Sequence, residues 1–244
     1  MRTHKTSNYR PDIDGIRAIA VVSVVAFHAF PSLVPGGFVG VDIFFVISGF
    51  LITQIIVAEL DSGNFKIRNF YSRRIRRIIP SLLVALVVAL ILAWILLLPE
   101  DFAQFGSVLA GSSVFITNFV LFAQVNYFDA AAVEKPLLHL WSLSIEEQFY
   151  IFWPIALIII FKFRRFALSI TFGLLISSFS YAYLIHANDP EKAFYYPFPR
   201  FWELLIGGIL AFIYLHHKEK LNLLNRFSVL PQLGSLASLV LIYY

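Results

Sequence analysis

The stretch Ile78-Ile79-Pro80-Ser81-Leu82-Leu83-Val84-Ala85-Leu86-Val87-Val88-Ala89-Leu90-Ile91-Leu92-Ala93-Trp94-Ile95-Leu96-Leu97-Leu98 runs for 21 residues without a charged side chain. A bilayer's hydrocarbon core takes about 20 helical residues to cross, so this stretch reads as a transmembrane helix. The rest of the chain agrees. Of its 244 residues, 59% are apolar and 14% charged. Ordinary soluble domains carry about a quarter charged residues and under half apolar ones. Intrinsic disorder is excluded by the excess of apolar surface, and one small soluble core could not hide it all. Cysteine is absent, which removes disulfides, thiolate zinc sites and a cysteine nucleophile.

Six further apolar runs lie outward from the first: Ile16–Leu33, Gly40–Leu60, Phe149–Phe161, Ala167–Ile185, Phe201–Leu215, and one from near Val229 to Tyr244. The fold class is therefore all-α, a polytopic transmembrane bundle with about seven spans. The first run imitates a signal peptide but ends in Phe27-His28-Ala29-Phe30-Pro31, without a small-x-small cleavage pattern, and reads as uncleaved. Basic residues set the orientation. Arg2, Lys5 and Arg10 place the N-terminus in the cytoplasm, and Lys66, Arg68, Arg73, Arg74, Arg76 and Arg77 place the loop after the second span there too. Residues 105–124 are apolar but laced with Gly, Ser, Thr and Asn. If they crossed, the basic turn Lys162, Arg164, Arg165 would land outside, so they are expected to be re-entrant, dipping into a polar interior and returning.

Polar residues inside the apolar runs are the candidates for chemistry. Arg17 and His28 stand 11 residues apart on the first helix. At about 100° and 1.5 Å per residue they share a face, about 16 Å apart along the axis. Arg17 also fits a snorkelling anchor, and His28 a helix-packing hydrogen bond. A short loop joins the first two helices, which puts Asp42 at the depth of His28; a carboxylate there would fix the imidazole tautomer and support a general base. Asp42 equally suits a cap on the second helix. In the run Gly40 to Gly49, which includes Ser48, small residues suit close helix packing. The string Arg68 to Arg77 suits both attraction to anionic lipid heads and a clamp for a phosphorylated ligand; its place against a span argues against nucleic acid. Ser144 with Glu147 fits a capping box, while Glu146 and Glu147 with Trp141 and Tyr150 fit a polar rim with stacking faces for a sugar. Arg200 and Glu203 are expected to pair.

Three strings together, Tyr9 to Val21 (YRPDIDGIRAIAV), Gly37 to Thr53 (GFVGVDIFFVISGFLIT) and Leu138 to Tyr150 (LHLWSLSIEEQFY), resemble the bacterial acyltransferase family 3, the membrane O-acyltransferases of surface glycans. The family's Arg-ten residues-His motif falls on Arg17 and His28, and its glycine and aromatic Ser-Gly motif on Gly40 to Gly49. Its Arg-x-x-Arg motif falls on Arg73 with Arg76 or on Arg74 with Arg77. The resemblance implies transfer of an acyl group, expected to be acetyl, from cytoplasmic acyl-CoA to a hydroxyl of a surface glycan such as lipopolysaccharide O-antigen or peptidoglycan. Acetyl-CoA is then a donor substrate, with no resident cofactor and no metal. Under this reading His28, Asp42 and Glu147 are catalytic, Arg17, Arg73, Arg74, Arg76 and Arg77 hold the donor, and Ser48, Trp141 and Glu146 hold the acceptor.

The resemblance implies a bacterial cytoplasmic (inner) membrane location, with acyl-CoA, a free or lipid-linked glycan and membrane lipids as partners and no nucleic acid. Family domains have about ten spans, so residues 1–244 are expected to be an incomplete acyltransferase domain, resembling members fused to an SGNH domain. Two other classes fit the residues: a transporter or flippase for a lipid-linked sugar, and an inactive fragment that keeps only the fold.

Overall fold

The computed structural model describes residues 11–125 and 136–216. Every regular element among them is helical. The α-helices are α1 (Pro11–Ala29), α2 (Gly40–Asp61), α3 (Ile67–Leu96), α4 (Pro99–Ser113), α5 (Thr117–Val125), α6 (Leu140–Lys162), α7 (Ala167–His186), α8 (Pro190–Tyr195) and α9 (Phe201–His216). Short 3-10 turns occupy Pro35–Val39, Arg164–Phe166 and Phe198–Arg200.

Among the described residues, five helical stretches are long and apolar enough to cross a membrane: Pro35–Asp61, Ile67–Leu96, Leu140–Lys162, Arg164–His186 and Phe198–His216. The protein is thus a multi-pass membrane protein, and five of the expected runs are recovered. The first expected run is helical as α1 but is not among the five, because Asp12, Asp14 and Arg17 crowd its first seven residues. The run from Val229, the cluster after His216 and the basic residues before Pro11 lie outside the described residues.

Two local expectations are corrected. The basic string after α2 is not a loop, because α3 already starts at Ile67. Arginine favours helix and no glycine or proline interrupts residues 67–79, so the string winds into the helix it was expected to precede. The capping box at Ser144 and Glu147 does not form, because α6 starts at Leu140 and both residues lie inside it. Ser144 Oγ instead donates back to the Leu140 carbonyl at 3.1 Å and accepts the Thr117 N–H at 3.2 Å. Residues 105–124 form no continuous helix. They belong to α4 and α5, which pack as a helical hairpin around Phe115, a non-glycine residue at φ +60°. Neither limb is among the five candidate spans.

The chain divides into two compact units, and the division falls within α2 after Ile47. In the first, α1 packs on the Pro35–Val39 turn and the start of α2. Gly37 and Gly40 make that approach possible, since a Cβ on either would overlap the α1 backbone at the Ser23 and Ala20 carbonyls respectively. The second unit, from Ser48, centres on α6, whose Ile145, Phe149, Trp153 and Leu157 are buried. Trp153 Nε1 donates to Thr53 Oγ1 at 2.8 Å, tying α6 to α2. Asn118 Nδ2 donates to the Tyr195 carbonyl at 3.0 Å, tying α5 to α8.

At Gly49 a Cβ would overlap the Leu204 backbone of α9, whereas Gly173 faces open space within α7. Gly49→Ala should therefore cost about 1–3 kcal/mol by forcing two backbones apart. Gly173→Ala should be neutral or stabilise by about 0.5–1 kcal/mol through helix propensity. Thermal unfolding of the detergent-solubilised chain reads both; equal behaviour of the two variants would contradict the packing.

Candidate active site

Helix α6 delivers most of the polar residues of the second unit. Glu146 and Tyr150 are four residues apart and share one helix face, while Glu147 points about 100° away. Ser48 Oγ donates to Glu146 Oε1 at 2.5 Å, across 98 residues of sequence. The Tyr150 hydroxyl donates to the same oxygen. Glu146 is half-buried, and one of its oxygens binds two hydroxyls. Arg74 of α3 lies over the Tyr150 ring, 3.8 Å from its centre to the guanidinium carbon.

Beside this cluster lies a cavity of about 220 Å³. Tyr71, Arg74, Phe115, Glu147 and Tyr150 supply its polar and aromatic wall, and Ile78 and Ile79 part of its apolar one. Two atoms of the wall residues lack partners. Glu147 Oε1 and Arg74 Nε are both buried without a hydrogen bond. Buried polar atoms are almost always paired, and leaving one unpaired costs about 1–3 kcal/mol, more when it is charged. Both atoms belong to residues that line the cavity. The wall itself is fixed. The Phe115 carbonyl, aimed by the left-handed turn, accepts Gln148 Nε2 at 2.7 Å, and Gln148 Nε2 also donates to Asn118 Oδ1 at 2.9 Å. The Tyr71 hydroxyl donates to the Ile151 carbonyl at 2.7 Å.

The four expected donor-binding arginines of α3 do not act alike. Arg73 turns back to Glu59 of α2, with Nη2 2.7 Å from Oε1. Arg74 lines the cavity, and the charges of both Arg74 and Arg77 act on Glu147. Arg76 is exposed. Arg77, like Arg76, is exposed, so of the Arg-x-x-Arg candidates only Arg74 lines the cavity. Trp141 belongs to a different group: it is 7% exposed, packed at 4.3 Å between ring centres on Phe194, with Arg200 5.7 Å away. Its faces are occupied by protein, which removes the open stacking surface expected for a sugar. Arg200 and Glu203 do pair, at 3.1 Å.

The remaining candidates lie in the first unit. Arg17 Nη1 is 3.7 Å from Asp14 Oδ1 in a partly exposed i,i+3 pair. His28 is exposed, and its Nδ1 lies 2.8 Å from the Val24 carbonyl. A carbonyl only accepts, so Nδ1 carries the proton and a neutral ring keeps its lone pair on Nε2. Fixing the tautomer was expected of Asp42. The helix backbone does it instead, and among the described residues no hydrogen bond joins His28 to Asp42. Asp42 sits half-buried in the first turn of α2, where a carboxylate is favoured by the helix dipole.

Sequence reasoning missed Tyr71, Phe115, Gln148 and Asn118. Tyr71 lay hidden in the basic string, and a backbone carbonyl aimed by a positive φ leaves no mark in residue type. Tyr150 was legible only as an aromatic face; its i,i+4 spacing from Glu146 was the signal for the hydrogen bond.

Residues 10–244 match the acyltransferase domain family. A peptidoglycan O-acetyltransferase of Listeria monocytogenes is 37% identical over 219 residues, covering 87% of this chain and 35% of its own length. A Bacillus subtilis protein provisionally named a peptidoglycan O-acetyltransferase is 39% identical over 221 residues, covering 86% of this chain and 34% of its own. A Staphylococcus aureus protein provisionally named an O-acetyltransferase is 36% identical over 247 residues, covering 98% of this chain and 41% of its own. The chain thus spans between 34% and 41% of the length of these relatives. No solved structure matches it.

The bond between Ser48 and Glu146 is testable by a double-mutant cycle with Ser48→Ala and Glu146→Gln. Membrane hydrogen bonds average about 0.6 kcal/mol, and a charged acceptor should raise this one to about 1–2 kcal/mol of coupling. Additive single effects in unfolding would contradict the contact.

Proposed function

The chain belongs to acyltransferase family 3, and from that premise we propose that it is an integral membrane O-acetyltransferase acting on a hydroxyl of peptidoglycan. The donor is an acyl-CoA, expected to be acetyl-CoA, presented from the cytoplasm. The enzyme lies in the bacterial cytoplasmic membrane with its N-terminus inside. The names of two relatives favour peptidoglycan over lipopolysaccharide as acceptor.

The observation that carries the reading is the unpaired donor and acceptor on residues lining one cavity, Arg74 Nε and Glu147 Oε1. Acyl transfer needs this combination. The thioester carbonyl develops negative charge and wants an N–H beside it; the attacking hydroxyl must give up a proton and wants an acceptor. In the proposed step the hydroxyl oxygen bonds to the thioester carbon while Glu147 takes its proton. The carbon–sulfur bond then breaks, and the leaving thiolate takes that proton from Glu147, which returns to the carboxylate. Arg74 holds the carbonyl oxygen, and Arg77 adds positive charge. Ser48, Glu146 and Tyr150 form the fixed polar frame against which the acceptor is oriented. At about 220 Å³ the cavity lies below the usual ~300–1,000 Å³ of small-molecule pockets. It has room for the reacting ends of the two substrates, and the rest of each lies outside.

In the first unit, His28 is proposed as a proton-transfer group through its Nε2, with Asp42 as a further catalytic residue and Arg17 as a donor-binding one. Its exposed ring and backbone-fixed tautomer support that role. Arg73 and Trp141 keep only supporting places, since other protein groups already engage them.

The test is base-released acetate from the peptidoglycan of a host lacking its own O-acetyltransferase. Glu147→Gln keeps the shape and removes the base, so ester acetate should fall by about 10²-fold or more while membrane insertion is unchanged. His28→Ala should also abolish it. Full acetylation in Glu147→Gln would overturn the assignment of the cavity.

A further inference from the structure

A larger cavity, about 460 Å³, lies at another place in the second unit and takes no part in the chemistry above. It forms where α6 ends, the Arg164–Phe166 turn follows, and the start of α7 meets the end of α9. Its walls are of two kinds. Leu168, Phe212 and Ile213 make an apolar floor, and Arg164 and Arg165 make a cationic rim beside His216.

The rim charges are not equally committed. Arg164 pairs with Asp61 at the end of α2, and its guanidinium stacks on the Phe161 ring at 4.6 Å. His216 Nε2 stands 3.9 Å from the other Asp61 oxygen, and its Nδ1 lies 3.1 Å from the Phe212 carbonyl. Asp61 is thereby answered twice. Arg165 is exposed and has no carboxylate partner among the described residues, so the rim carries a surplus guanidinium.

We propose that this cavity binds an anionic phospholipid, its phosphate on Arg165 and one acyl chain over Leu168, Phe212 and Ile213. Guanidinium binds phosphate oxygens through two parallel hydrogen bonds. A free phosphate would use the rim and leave the floor wet, and it would fill only a small part of the space. A lipid uses both, and it reaches the site from the bilayer around the membrane-crossing stretches Leu140–Lys162, Arg164–His186 and Phe198–His216. The site is independent of the acyl-transfer assignment.

Native mass spectrometry of the detergent-purified 244-residue chain, offered equal phosphatidylglycerol and phosphatidylcholine, tests this directly. The chain should retain phosphatidylglycerol about fivefold over phosphatidylcholine, and Arg165→Gln should bring the ratio near one. Arg165 is exposed, so the variant keeps its fold. Adding sn-glycerol 3-phosphate, the headgroup without chains, at the lipid's concentration should displace nothing. Equal retention of both lipids, an unchanged ratio in Arg165→Gln, or displacement by the bare headgroup would each overturn the proposal.

Discussion

Two adjacent carboxylates of α6 have been taken out of bulk solvent, and they meet that loss in opposite ways. Glu146 shares one oxygen between the hydroxyls of Ser48 and Tyr150. Glu147 keeps a buried oxygen with no partner. A satisfied buried charge is close to neutral in stability, whereas an unsatisfied one is a standing cost. The fold keeps that cost next to a fixed frame of hydrogen bonds. Glu146 locks α6 to α2, Gln148 locks α6 to the α4–α5 turn, and Tyr71 locks α3 to α6.

This division of labour accounts for a hydroxylic Ser48 beside a small Gly49 in an otherwise bulky apolar run. Gly49 brings the α2 backbone against the Leu204 backbone of α9, and Ser48, one residue earlier, thereby reaches Glu146. The same sequence run serves packing and polarity at once. Gly49 packs and Ser48 hydrogen-bonds, on neighbouring residues. In the first unit the pattern repeats at Gly37 and Gly40, which seat the next helix on α1.

Much of the fold was legible in the sequence because lipid leaves backbone groups few options: long apolar runs must be helices. Five such runs were read correctly. What failed was local. Nothing in the string Arg68 to Arg77 signals that α3 begins before the membrane, since arginine suits helix and loop alike. The Ser144–Glu147 spacing matched a cap, but α6 had already started at Leu140. Ser48, Glu146, Glu147 and Arg74, singled out in the sequence by residue type, lie near one another in the second unit. Their pairing was not legible. The helix face of each, the burial of Trp141 under Phe194, and the backbone bond that fixes the His28 tautomer are set by tertiary contacts or by the chain's own carbonyls, and these have no residue-type signature.

The claim at the centre is that Glu147 stands unpaired in a small cavity reached by the acyl donor. Dicyclohexylcarbodiimide, an apolar carboxyl reagent, followed by peptide mass spectrometry, addresses it most directly. Glu147 should be modified, and acetyl-CoA should slow that reaction without slowing modification of Glu100. Failure to label Glu147 while Glu100 reacts, or labelling at the same rate with acetyl-CoA present, would contradict the account.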